Sequence, residues 1–177
     1  SQPILCSIIG QDPEGEYFTD LVKQQHMPDK GIIKSDSRKT TTKERFLSGS
    51  QHLLRVDEEQ DHGLSEKERS VLKNNIQDLL PTVQAVVFED YDKGILDEDI
   101  IKFTIELARE RNIPTVVDPK RKNFLGYRGA TLFKPNLKEI REGLKIDVEK
   151  NDMDGLKRAV GHLKQKLGVS NVLITLS

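Results

Sequence analysis

Three short stretches of the chain set carboxylates beside lysines: Glu89-Asp90-Tyr91-Asp92-Lys93-Gly94, Asp118-Pro119-Lys120-Arg121-Lys122 and Lys134-Pro135-Asn136-Leu137-Lys138-Glu139. A carboxylate can hold a sugar hydroxyl or, directly or through water, Mg2+, and a lysine brings compact positive charge to a phosphate. Phosphoryl transfer is mostly positioning and charge neutralisation, so these are the groups it needs. Each stretch also has a plainer reading. Asn136 is a favoured helix N-cap with Glu139 at the third helical position, a box-like start. Asp118 before Pro119 can open a turn, and Asp92-Lys93-Gly94 can be a turn leading to Asp97. Charged residues at one such place are ordinary; at three places in succession they are less so.

A second group of cations, Arg38, Lys39, Lys43, Arg45 and Arg55, is dense in a segment rich in Thr and Ser. It reads equally as a phosphate-binding face and as a solvated strand edge blunted with charge. Other chemistries lack their signatures. Gly10 and Gly15 have the glycine spacing of a P-loop, but Glu16 stands where its lysine must be, and no G-x-G-x-x-G occurs. The four histidines (His26, His52, His62, His162) have no metal-ligand spacing, and no serine sits in a G-x-S-x-G elbow.

Apolar patterning indicates the elements that must position these groups. Ile4 to Ile9 reads as a strand closed by Gly10, and Cys6 within it as a small buried hydrophobe. Tyr17, Phe18, Leu21 and Val22 follow at helical spacing, with Pro28 beyond. Thr40 to Leu47 and Leu53 to Val56 flank Ser48-Gly49-Ser50, which suggests a hairpin outside the main sheet, bounded at about residues 34–60. Ser65-Glu66-Lys67-Glu68 is a capping box for a helix that Pro81 stops. Beyond it the rhythm is regular. Strands at Ala85–Phe88, Thr115–Val117, Thr131–Phe133 and Val172–Leu176 alternate with helices opened by Asp97 and Asn136 and a helix with Met153, Leu156, Ala159, Val160, Leu163 and Leu167 on its apolar face. That alternation predicts an α/β fold of parallel βαβ units, with ligands at the carboxyl ends of the strands.

Composition restricts the class. The 177 residues suit one domain, and 28 basic against 29 acidic residues give a net charge of -1, no electrostatic footprint for nucleic acid. No apolar run approaches the roughly 20 residues of a membrane span. One cysteine cannot build a disulfide framework within the chain, which fits a reducing cytoplasm. The chain opens directly on a core-type strand and stops at Ser177 just after another, so it reads as an internal portion of a larger domain, cut short at both ends.

The residues taken in order resemble the ribokinase, or phosphofructokinase-B-type, carbohydrate kinases. Among these they are most similar to the kinase domains of the bifunctional heptose 7-phosphate kinase/heptose 1-phosphate adenylyltransferases. The resemblance runs from Gly10-Gln11-Asp12-Pro13-Glu14-Gly15 through Thr42-Lys43-Glu44-Arg45-Phe46 and Asp90-Tyr91-Asp92-Lys93-Gly94. It continues through Asp118-Pro119-Lys120 and Tyr127-Arg128-Gly129-Ala130-Thr131 to Pro135-Asn136-Leu137-Lys138-Glu139. It implies a ribokinase-like three-layer fold with a mostly parallel sheet and a small β-lid inserted into a partial kinase domain spanning residues 1–177. It also implies ATP and Mg2+ as cofactors, a small-molecule sugar phosphate as substrate, and a homodimer joined through the lid. By resemblance, Asn136, Leu137, Lys138 and Glu139 bind nucleotide, and Glu139 serves the metal. Asp90, Lys93, Asp118 and Lys120 fall on the substrate side, while Lys43 and Arg45 are candidates for the sugar's distal phosphate. The implied reaction phosphorylates heptose 7-phosphate at its anomeric position, in ADP-heptose and lipopolysaccharide core synthesis. Alternatives are a kinase of another sugar phosphate, such as fructose 6-phosphate, and a non-catalytic nucleotide-binding or scaffolding module. The family's G-A-G-D motif, which supplies the aspartate base, has no counterpart in the chain, so the chain taken alone is expected not to be a competent kinase.

Overall fold

The computed structural model describes residues 2–176. The chain divides into two compact units. One runs to Ile76 and takes in Lys93–Ile95; the other comprises Gln77–Asp92 and the chain from Leu96 on.

In the first unit, strand β1 (Ser7–Gly10) pairs in parallel with β2 (Ile32–Ser35), in register from Ser7 opposite Ile32 to Gly10 opposite Ser35. β1 begins at Ser7 rather than Ile4, because β2 offers only four partners. Cys6 therefore lies ahead of the strand and is exposed, contrary to the expectation of a buried residue. Helix α1 (Pro13–Gln24) starts where Asp12 Oδ1 accepts the Gly15 N–H at 2.8 Å, and Pro13 occupies a position whose N–H has no helical partner anyway. The same carboxylate accepts the Thr40 N–H at 2.7 Å and the Thr40 hydroxyl at 2.6 Å, which fastens the helix start to the chain entering the hairpin. The buried face of α1 is Gly15, Thr19 and Val22; Tyr17 and Leu21, part of the apolar helical pattern, lie on the opposite side and are exposed.

The hairpin forms as its turn chemistry predicts. β3 (Thr42–Ser48) pairs antiparallel with β4 (Gln51–Glu58), and Gly49 takes the positive φ of 58° that the tight turn requires. The ribbon starts later than residue 34, since Lys34 and Ser35 belong to β2. Its strands are exposed except for the half-buried Thr42. Helix α2 (Glu66–Leu79) begins at the expected capping box: the Ser65 N–H donates to Glu68 Oε2 at 2.8 Å, and the Glu68 N–H to Ser65 Oγ at 3.3 Å.

The second unit carries a four-stranded parallel sheet in the order β5 (Val86–Glu89), β6 (Thr115–Asp118), β7 (Leu132–Phe133) and β8 (Asn171–Val172). Helix α3 (Glu98–Glu110) connects β5 to β6, while α4 (Leu137–Leu144) and α5 (Met153–Leu167) connect β7 to β8. Asp97, Asn136 and Asp152 cap these helices with their side chains, and Gly168 ends α5 at φ 63°. The core gathers Phe88, Ile101, Val117, Tyr127, Phe133, Ile140 and Leu163. Each fully buried aliphatic or aromatic side chain contributes about 1.5–3 kcal/mol. Three expectations differ. Val87 is exposed, because β5 is the first strand of its sheet and alternates rather than being covered on both faces. Met153, at the first turn of α5, is exposed rather than part of its apolar face. The terminal strand is regular only over β8, since β7 is itself two residues long; beyond it Leu173 and Thr175 still donate to Phe133 and Pro135 carbonyls.

Candidate active site

In the second unit the carboxyl ends of β5, β6 and β7 bring the polar residues into one row. Glu89 and Asp118 are register partners at the last positions of β5 and β6, and the Asp90 N–H donates to the Asp118 carbonyl at 3.2 Å. Asp118 Oδ2 lies 2.9 Å from Lys134 Nζ, just past β7. Asn136 and Glu139 close a full capping box: the Glu139 N–H donates to Asn136 Oδ1 at 2.9 Å, and the Asn136 N–H to Glu139 Oε2 at 2.8 Å. The remaining Glu139 oxygen, Oε1, accepts from Lys120 Nζ at 3.0 Å. Burial acts against the Lys120 ammonium, but the Glu139 carboxylate, with Asp118 and Asp90 behind it, raises its pKa above the ordinary lysine value. Two lysines and two carboxylates thus stand charge-matched and partly open at the strand ends, beside the N-terminus of α4.

Asp90 plays a different part. It is buried, and its Oδ2 accepts from the Tyr127 hydroxyl at 2.7 Å and from Asn123 Nδ2 at 3.2 Å, while Oδ1 accepts the Asp92 N–H at 2.9 Å. It holds the β5 end-loop in shape rather than presenting its carboxylate outward. Asp92 continues that loop in a left-handed conformation, φ 55°. Of the four residues expected at the nucleotide, the structure groups Asn136 and Glu139 with Lys120. Leu137 packs into the core and its N–H donates to Thr175, and Lys138 is turned to Glu142 at 3.9 Å. Neither side chain points at the row.

The candidates in the first unit form their own group. Lys43 on β3 meets Glu59 Oε2 at 2.8 Å and Asp57 Oδ2 at 3.4 Å, and Lys93 bonds the other Glu59 oxygen. Arg45 stands opposite Arg55 in the ribbon; Arg55 is held by Asp57, whereas Arg45 has no polar partner among the described residues. Arg38, grouped with the hairpin cations by sequence, is buried. Its guanidinium donates to the Lys93 and His62 carbonyls at 3.1 and 2.6 Å, a backbone clamp rather than an open cation. Next to that clamp a Cβ on Gly94 would come within 2.1 Å of the His62 carbonyl oxygen, and its φ of 75° also calls for glycine. Sequence reasoning missed Glu59, Asn123 and Tyr127 as partners. Tyr127 lies inside the Tyr127-Arg128-Gly129-Ala130-Thr131 run, but no spacing in the sequence marks its contact with Asp90.

Among the described residues no cluster of His, Cys, Asp and Glu forms a closed metal cage. The donor set suits an ion such as Mg2+ that keeps waters and phosphate oxygens as its main ligands. Both Glu139 oxygens carry one hydrogen bond each and retain a free lone pair for a metal-bound water. Among the described residues no helix is long and apolar enough to cross a membrane.

The profile described as pfkB family carbohydrate kinase matches residues 1–177. Bifunctional protein HldE of Wolinella succinogenes is 34% identical over 172 residues, covering 97% of this chain and 36% of that protein. Its counterpart from Rhodospirillum rubrum is 35% identical over 171 residues, 97% of this chain and 34% of that protein. The chain therefore spans about a third of the length of the curated relatives it matches. Among solved structures, the tetrameric inhibited form of phosphofructokinase-2 from Escherichia coli superposes with a TM-score of 0.74 at 14% identity, over 99% of this chain and 57% of that one. Ribokinase from Giardia lamblia gives 0.71 at 16% identity, over 98% and 52%. The architecture is ribokinase-like.

Proposed function

From the premise that this chain belongs to the pfkB family of carbohydrate kinases, we propose that it forms part of an enzyme that phosphorylates heptose 7-phosphate at its anomeric hydroxyl, using Mg2+ and ATP. The observation that carries this reading is the Lys120–Glu139–Asn136 group at the strand ends, with Asp118 and Lys134 beside it. Lys134 offers positive charge to nucleotide phosphates and Lys120, on the substrate side, to the phosphoryl group in transfer, and the α4 N-terminus adds partial positive charge nearby. Glu139 orients Lys120 and, through water, serves the metal, which when bound neutralises phosphate charge. Asp90 keeps the β5 end-loop in the shape that offers Asp92 and Lys93, while Asp118 faces the substrate. Lys43, Arg45 and Lys93 take the sugar's distal phosphate. The exposed apolar residues of the ribbon, Phe46, Leu54 and Val56, support a homodimer formed through it. The near-balanced charge suits a small-solute enzyme rather than a nucleic-acid binder, and we take the cytoplasm as its location. The sugar assignment rests on the ordered motifs Asp90-Tyr91-Asp92-Lys93-Gly94, Asp118-Pro119-Lys120 and Asn136-x-x-Glu139 and on the HldE relatives.

Calorimetric titration of the protein with Mg-ATP, heptose 7-phosphate and fructose 6-phosphate tests the reading. Binding of Mg-ATP and preference for the heptose are the expected results. Preference for fructose 6-phosphate would replace the substrate, and absence of any nucleotide binding would overturn the kinase assignment.

A further inference from the structure

Lys43 and Lys93 come from distant parts of the sequence and converge on one carboxylate. Glu59, the residue after β4, receives Lys43 on Oε2 at 2.8 Å and Lys93 on Oε1. The neighbouring Asp57 does not share this task equally. Arg55 grips both its oxygens, at 2.8 and 2.5 Å, and its contact with Lys43 is the longer one at 3.4 Å. Glu59 is thus the common counter-ion of two ammonium groups. All three side chains are only about one-third exposed, at 33%, 27% and 30% for Lys43, Lys93 and Glu59, so a small solute reaches them without unfolding anything. Their charges do not balance: two cations face a single negative charge. A phosphate monoester carries about -1.5 to -2 at neutral pH and three acceptor oxygens, which matches both ammonium groups where the carboxylate neutralises one. The hydrogen bonds from Lys43 and Lys93 also hold the Glu59 carboxyl below its ordinary pKa, so the competitor stays ionised.

We propose that Glu59 is a built-in occupant of a two-lysine phosphate subsite, which a phosphate monoester must displace. The carboxylate sets the affinity of the subsite and its selectivity: a dianion displaces Glu59, whereas a monoanionic carboxylate gains nothing over it. That the phosphate belongs to a sugar rests on the kinase reading above; the subsite itself rests on the geometry of Lys43, Lys93 and Glu59.

The probe is inorganic phosphate, titrated calorimetrically into the wild-type protein and the Glu59→Gln variant, with folding checked by circular dichroism. Removing the carboxylate should tighten phosphate binding about five- to tenfold, the scale of two exposed lysine–carboxylate contacts. Adding Lys93→Gln to Glu59→Gln should erase the gain. Glu58→Gln, which removes an equal charge next door where Lys39 is the partner, should leave the affinity unchanged. Acetate should bind neither wild type nor Glu58→Gln. Equal or weaker phosphate binding by Glu59→Gln, an equal gain in Glu58→Gln, or no phosphate binding by any variant would overturn the proposal. A parallel titration with heptose 7-phosphate separates the two levels. Gain for phosphate without binding of the sugar phosphate supports the subsite and refutes the substrate. Sugar phosphate binding indifferent to Glu59→Gln does the reverse.

Discussion

Replacing Tyr127 with phenylalanine removes a single hydroxyl from the centre of the second unit and leaves the ring in place. The ring packs edge-on against Phe88 with centroids 5.5 Å apart and tilts against Phe133 at 6.4 Å, contacts that phenylalanine keeps. What is lost is the 2.7 Å hydrogen bond to Asp90, a buried carboxylate. Hydrogen bonds to charged groups contribute about 1.5–3 kcal/mol. Asp90 retains Asn123 and the Asp92 N–H, so the loss should fall near about 2 kcal/mol. For a chain of this length that lowers Tm by roughly 4–8 °C. The pH dependence gives a second signature. Burial, then the hydrogen bond to Asp90, pushes the Tyr127 hydroxyl well above the ordinary tyrosine pKa. A raised folded-state pKa means that its stabilisation is complete below about pH 10 and is lost as the pH rises, because the unfolded chain ionises first. The wild type should therefore lose about 1.4 kcal/mol per pH unit that the variant does not lose, and the gap between them should narrow above about pH 10. Urea unfolding followed by far-ultraviolet circular dichroism at pH 7 and between pH 9 and 11 measures both. A loss under about 0.5 kcal/mol at neutral pH, or a gap that stays constant to pH 11, would refute the account of Asp90 as a carboxylate held by a neutral phenol.

Burial would raise the Glu68 carboxyl, but hydrogen bonds from Ser35 and from the Ser65 hydroxyl and amide, with Arg38 nearby, bring it down to about 2. Its lowered folded-state pKa gives stability that is present above the unfolded value and lost as pH falls through about 2; Glu68→Gln should flatten that acid limb, as read by urea unfolding from pH 6 to 2. Asn136→Ala should cost about 0.5–2 kcal/mol through loss of the cap. Asn136→Asp keeps the cap, so its stability should match wild type while its Mg-ATP affinity falls; calorimetry showing unchanged affinity would make Asn136 a cap only. Gly143→Ala should destabilise although alanine favours helices by about 1 kcal/mol, because its Cβ would meet the Phe124 ring at 2.2 Å; a raised Tm would contradict this packing.

The helices and most strands of the second unit were legible because each carries its own signal. Asp97 and Asn136 announce helix starts, Gly168 a helix end, and Val116-Val117 a covered strand. The capping box at Ser65 and the turn at Gly49 were equally local. What escaped depends on distant partners. β2 was not foreseen, since Ile32-Ile33-Lys34-Ser35 becomes a strand only beside β1. The pattern of Tyr17, Phe18, Leu21 and Val22 marked α1 but not which side of it is covered. The candidate site divided in the same way. Asn136 and Glu139 could be found as a helix start from their spacing, but the contact of Glu139 with Lys120, 19 residues away, has no local mark. Asp90 is as acidic in sequence as Asp118, and only the hydroxyl of Tyr127, 37 residues away, turns it inward. Arg38 and Arg45 look alike in sequence, yet one is buried on two carbonyls and the other stands in solvent.

The β3–β4 ribbon has a consequence for how this protein can change. Its residues contribute almost nothing to either hydrophobic interior, so substitutions along it escape the steep stability penalty that core positions impose. Lys43, Arg45 and Glu59 sit on or beside this tolerant segment, while Asn136 and Glu139 are bound into a helix start. If Lys43 and Arg45 hold the sugar's distal phosphate as proposed, acceptor preference can drift by mutation of the ribbon while Asn136 and Glu139 are kept fixed by the demands of folding.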